Sequence, residues 1–173
     1  MKELIRHEKG FMPKADAHRI SEYARLYDDL FNHFGNNEKE FTVHTHEEIA
    51  KRDQEVLDTI NHYARKVYDF VGQEYPGPFM DFDVYKTHIA RFAEGRGMHK
   101  HFDSTKPNDI ATLIYLNDDY SGGDIYFPDH DISIKPEAGD LICFPDNPDF
   151  VHGVMPIISG TRYTTPRWFT RIV

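Results

Sequence analysis

The chain has one cysteine in 173 residues, Cys143 in "DLICFPD". No intrachain disulfide can form, so a reducing compartment is compatible and the thiol reads as a small core residue. Basic residues are outnumbered: 20 Lys and Arg face 29 Asp and Glu, for a formal charge of −9. An acidic surface repels phosphate, which argues against general nucleic-acid binding. Long apolar runs are missing too. The N-terminal "MKELIRHEKG" holds nothing of signal-peptide length, and nowhere do about 18 uninterrupted apolar residues occur. The expectation is a soluble, cytoplasmic protein without a membrane partner; oligomeric state is open.

What is there is globular, with 39% hydrophobic and 14% aromatic residues. The length is that of one domain, residues 1–173, large enough to bury a core and a pocket. In "KADAHRISEYARLYDDLFNHF", Ile20, Tyr23, Ala24, Tyr27, Leu30 and Phe31 recur at three- and four-residue spacings. That stripe predicts an amphipathic helix from Lys14 to about Phe34. A second helix is predicted from about Thr45 to Val71, ended by "EYPGP" at 74–78. After Phe79 come seven or eight short runs rich in β-branched and aromatic residues, separated by Gly, Pro, Asn and Asp. The fold class expected is α+β: a mainly helical part, 1–78, packed outside a β-sandwich or jelly roll, 79–173.

The chemistry concentrates in the strand-rich half. In "MHKHFDST", His101 and Asp103 are two apart, so on an extended strand both leave the same face while Phe102 turns away. An imidazole and a carboxylate are two ligands of a borderline metal. A third is expected from elsewhere, and His152 in "DFVHGVMPI" is the candidate. Two histidines and one carboxylate with open positions suit a non-haem Fe(II) oxygenase, and zinc with three protein ligands competes. Eleven histidines also make a chance H-x-D plausible.

The order of segments decides more than any one of them. "HFD" at 101–103, "ATLIYLND" at 111–118, "GGDIYF" at 122–127, "PEAGDLICF" at 136–144, "HGV" at 152–154 and "GTRYTTPRWF" at 160–169 succeed one another. Over about Tyr85 to Phe169 this resembles the 2-oxoglutarate and Fe(II)-dependent dioxygenases, in their prolyl 4-hydroxylase-like branch.

The resemblance implies a double-stranded β-helix core and a hydroxylase that uses Fe(II), 2-oxoglutarate and O2, with ascorbate as an open addition and succinate and CO2 as co-products. It implies His101, Asp103 and His152 as iron ligands and Arg162 as partner of the distal 2-oxoglutarate carboxylate. Such an arginine also has a physical reason, since a buried dicarboxylate needs a compensating charge and guanidinium offers a bidentate fork. Thr164 completes R-x-[ST] on the same strand face, and Tyr115 matches a further position that donates to that carboxylate. The favoured substrate is peptidyl proline; other residues, nucleobases and small molecules are alternatives, as are a non-catalytic metal-binding jelly roll and a zinc hydrolase.

Several residues stand outside the pattern. Many prolyl hydroxylases have a tyrosine where this chain has Phe92, and an aromatic where it has Met98; Tyr85 or Lys86 could compensate for the lost hydroxyl. His99 reads as a rim or substrate contact. His44 and His46 read as surface or as part of a loop over the site. The lone tryptophan, Trp168, reads as a core anchor with contact to the pocket.

Overall fold

The computed structural model describes residues 2–33, 41–81, 88–103 and 109–172. The N-terminal part supplies β1 (Arg6–Glu8), α1 (Lys14–Leu26), β2 (Asn32–His33), β3 (Thr42–Thr45), α2 (His46–Arg52) and α3 (Gln54–Glu74). Then follow β4 (Phe79–Asp81), β5 (His88–Phe92), β6 (Met98–His101), β7 (Ile110–Tyr115), β8 (Ser121–Gly122) and β9 (Ile125–Phe127). The chain closes with β10 (Ile132–Ile134), β11 (Leu141–Pro145), β12 (His152–Val154), β13 (Ile157–Ser159) and β14 (Arg162–Arg171).

The helical part differs from its periodicity in two places. The first helix stops at Leu26, and Asn32 and His33 instead pair with Val43 and Thr42. Pairing with a strand ten residues on outweighs a stripe that local spacing would have continued. The second helix is broken at Asp53, whose backbone is extended and whose side chain accepts from the Val56 N–H at 2.9 Å. That bond caps the start of α3, worth about 1 kcal/mol, so one predicted helix is two.

In the C-terminal part the described residues hold eleven strands, β4 to β14, rather than seven or eight. The excess is in short pieces such as β8 and β13, two and three residues long, which no alternation pattern marks. The large sheet runs β1-β11-β7-β14-β5-β3-β2, with β4 also on β14; a smaller one runs β10-β9-β12-β6. Every recorded pairing is antiparallel. Two facing antiparallel sheets with helices outside one of them are the expected jelly roll. No described helix is long and apolar enough to cross a membrane.

Period-two alternation sorts the large sheet into two faces. Ile110, Ile114, Leu141, Cys143, Tyr163 and Phe169 pack with Ile20, Tyr23, Ile60 and Val67 of the helices. Ala111, Tyr115, Ile142 and Phe144 turn the other way and pack with Ile125 and Phe127 of the small sheet. Because both faces are covered, β7 and β11 are apolar almost throughout. The same parity puts Arg162, Thr164, Pro166 and Trp168 of β14 on the inner face, where they meet the small sheet across a cavity.

Candidate metal and carboxylate site

The cavity is about 460 Å³ and lies between the two sheets. On the small sheet, β6 and β12 pair so that His101 and His152 are direct cross-strand partners, with ring centroids 4.6 Å apart. Strand β6 ends at His101, and Asp103 sits just beyond it in a bend rather than on the strand. The two-residue offset still brings Asp103 Oδ1 within 3.2 Å of His101 Nε2. One ligand atom from each of His101, Asp103 and His152 lies within 4.8 Å of the others.

The backbone fixes the tautomers. His101 Nδ1 is 2.8 Å from the His99 carbonyl, and His152 Nδ1 is 3.1 Å from the Phe150 carbonyl. A carbonyl only accepts, so each Nδ1 carries a proton, and in the neutral ring Nε2 keeps the lone pair. Burial pushes the His152 pKa down to about 4, and the neighbouring His101 adds to the shift. Asp103 feels burial as an upward push, but hydrogen bonding and charge from His101, charge from His152 and a bond from Trp168 outweigh it and hold the carboxyl ionised. Two imidazole nitrogens and a carboxylate oxygen within 4.8 Å of one another are a donor set that fits Fe(II).

Across the cavity, Arg162 is 1% exposed. Among the described residues its guanidinium hydrogen-bonds a backbone carbonyl, that of Gly123 at 3.0 Å, while its buried Nε has no partner. Gly123 has φ of +71° and an added Cβ would meet the Ile157 side chain at 2.5 Å, so the "GG" turn needs glycine there to present that carbonyl. Thr164 and Tyr115 are register partners on β14 and β7, and the hydroxyls of both are buried without a partner among the described residues. Arg162 and Thr164 line the cavity. Tyr115 is fully buried, with its ring 5.2 Å from the Arg162 guanidinium carbon. Native interiors rarely leave such groups unpaired. Two such hydroxyls beside a cation whose Nε is also unpartnered fit a carboxylate.

Trp168 does more than anchor the core: its indole N–H donates to Asp103 Oδ2 at 2.9 Å. Asp146, which the sequence did not flag, is 1% exposed and accepts the Asp103 backbone N–H at 2.9 Å. Burial raises its pKa to about 6 against the opposing pull of that bond. Its signal was only an aspartate after the "LICFP" strand, which reads as an ordinary turn. His99 is an exposed residue at the rim, and its carbonyl rather than its ring serves His101.

His44 is a correction. It is 1% exposed on the helix side of the large sheet, with Tyr23 Oη 3.0 Å from its Nε2, so it lies neither on the surface nor over the site. His46 opens α2. Tyr85 and Lys86 lie outside the described residues.

Residues 87–170, just under half of the chain, match the model of the 2OG-Fe(II) oxygenase superfamily. Human prolyl 3-hydroxylase 2 is 37% identical over 67 residues, which is 36% of this chain and 10% of that protein. The chain thus spans about a tenth of the length of this relative. A solved prolyl-4-hydroxylase from Pseudomonas putida superposes with a TM-score of 0.74 at 17% identity, covering 98% of this chain and 94% of that one. A prolyl hydroxylase from Trichoplax adhaerens, solved with a hypoxia inducible factor peptide fragment, gives 0.73 at 17% identity, covering 98% and 84%.

Proposed function

We propose that this protein, whose residues 87–170 match the 2OG-Fe(II) oxygenase superfamily model, is an oxygenase of that kind and hydroxylates peptidyl proline. One arrangement carries the reading. The ligand atoms of His101, Asp103 and His152 share a single cavity with Arg162 and Thr164, Tyr115 packs beside Arg162, and among the described residues the Arg162 Nε and both hydroxyls have no partner.

His101, Asp103 and His152 would hold Fe(II), and Arg162, Thr164 and Tyr115 the distal carboxylate of 2-oxoglutarate. When bound, these two supply the oxidising chemistry that carries one atom of O2 into a C–H bond, with succinate and CO2 as co-products. The chain supplies binding, orientation and exclusion of water. Arg162 anchors the cosubstrate at a fixed point, and its burial makes that charge interaction stronger than it would be in water. The carbonyls of His99 and Phe150 hold the Nδ1 edge of each ring, so that Nε2 is the atom aimed inward.

The substrate assignment rests on the rest of the cavity. Phe41, Met98, Leu113 and Trp168 form apolar wall around the metal ligands, suited to a compact apolar ring. Relatives named prolyl hydroxylases support the same class, and one solved relative holds a peptide.

The test begins with anaerobic addition of Fe(II) and 2-oxoglutarate, watching for a weak visible charge-transfer band. Exposure to O2 with proline-containing peptides follows, reading succinate and the gain of one oxygen on proline by mass spectrometry. A band that disappears in His152→Ala, with peptide-stimulated succinate, is the expected result. An undiminished band in that variant would sink the site. A normal band with no peptide stimulation would overturn the substrate assignment, and fragmentation of the product distinguishes 3- from 4-hydroxylation.

A further inference from the structure

Asp103 lies past the end of β6, where no cross-strand pairing to β12 is recorded. A carboxylate on such a bend can rotate about two side-chain torsions. Two contacts hold it. The Asp103 N–H is bound by buried Asp146, which fixes the main chain. Trp168 on β14 donates to Oδ2, which leaves Oδ1, the oxygen 3.2 Å from His101 Nε2, turned toward the imidazoles. The indole is itself held. Its ring stacks on that of His88 at 6.3 Å and 23°, and it packs against the inner-face cluster that includes Phe144.

We propose that Trp168 is a positioning residue: by occupying Oδ2 it presents a single oxygen of Asp103 to the metal and couples the ligand on the small sheet to the large sheet. The inference rests on the metal-ligand reading above. Its physical basis is that a hydrogen bond to an ionised acceptor is stronger than one between neutral groups, and that partners of metal ligands set ligand orientation and tune affinity. The strand that carries Arg162 at one end therefore carries, six residues on, the group that orients a metal ligand. Cosubstrate anchor and metal site are tied through one rigid element.

Two measurements test this, neither requiring turnover. Trp168→Phe keeps a ring and removes the donor; with Co(II) as probe, read by its visible absorption, it is expected to bind about 10- to 100-fold more weakly than wild type, with the metal-free melting temperature unchanged. In the wild type, the chain's one tryptophan gives one indole resonance in a ¹H–¹⁵N spectrum. It is expected to exchange slowly with solvent and to shift saturably as Zn(II) is added. Wild-type Co(II) affinity in Trp168→Phe, or an indole resonance indifferent to Zn(II), overturns the proposal. If the variant melts early, the wild-type indole resonance decides alone. Wild-type protein that takes up neither ion defeats the metal site and with it the function proposed above, an outcome distinct from a Trp168→Phe variant that binds normally.

Discussion

Arg162 stands directly opposite Phe92 in the β14–β5 ladder, and its guanidinium carbon lies 4.4 Å from the centre of the Phe92 ring. Phe92 is the position where many prolyl hydroxylases carry tyrosine. The ring here serves as a seat for the cation that faces the cavity. Phe92→Leu keeps the apolar bulk and loses the ring face. A desolvated cation–π contact is worth about 0.5–2 kcal/mol, so 2-oxoglutarate affinity is expected to fall by about 2- to 30-fold, measured by titration of the charge-transfer band. Unchanged affinity would assign Phe92 to packing alone.

Arg162→Lys tests the geometry of the charge rather than its presence. Lysine cannot keep both the Gly123 carbonyl and a bidentate grip on a carboxylate. We expect 2-oxoglutarate to bind about 10- to 100-fold more weakly, on the scale of lost charge-assisted hydrogen bonds, with Co(II) affinity preserved in calorimetry. Equal loss of both would point to a folding defect.

The histidines of "MHKH" separate by role. His101→Ala removes a lone pair from the converging set, and metal binding should be lost. His99→Ala leaves the carbonyl that fixes the His101 tautomer in place. Co(II) affinity in that variant is expected within about twofold of wild type, as for a surface change away from the contacts that matter. A large loss would make the His99 ring a ligand and refute the three-residue set.

His44 gives a pH dependence of stability. Burial holds its pKa below the ordinary 6.5, with the positive charge of Arg52 pushing the same way. Tyr23, Tyr27 and Phe31 surround the ring. The unfolded chain therefore takes up a proton near pH 6.5 that the folded chain resists. This contribution is complete above about pH 6.5 and is lost as the pH falls toward the lowered folded value. Urea midpoints at about pH 7.5 and about pH 5.5 should differ less in His44→Phe than in wild type. Equal differences would show that His44 titrates normally when folded.

The N-terminal helices show where local spacing stopped being informative. Tyr27, Leu30 and Phe31 continue the stripe of α1, yet Phe31 leaves the helix and packs against His44 and Tyr163. Its neighbours Asn32 and His33 pair with β3. Helical periodicity cannot announce a strand partner supplied by a later segment. The same blindness hid Asp28, which binds Arg91 through two hydrogen bonds and accepts from Tyr163 Oη at 2.6 Å. Nothing in the spacing near residue 28 indicates a basic partner 63 residues on.

In the strand-rich half, the succession from "HFD" to "GTRYTTPRWF" is legible because residue type, spacing and order are properties of the chain itself, and its resemblance to the dioxygenases is what singles out His101, Asp103, His152, Arg162, Thr164 and Tyr115. Strand alternation also predicted that Arg162 and Thr164 share a face. Only the tertiary structure decided what each side chain meets. Trp168 and Asp103 are 65 residues apart, one on the large sheet and the other just past a strand of the small one, and their hydrogen bond exists because sheet packing brings a donor to an ionised acceptor. The bond from the Asp103 N–H to Asp146 and the Phe92 ring beneath Arg162 are likewise tertiary contacts. A hydrogen bond depends on distance and angle in space, and those are fixed when the two sheets close on each other.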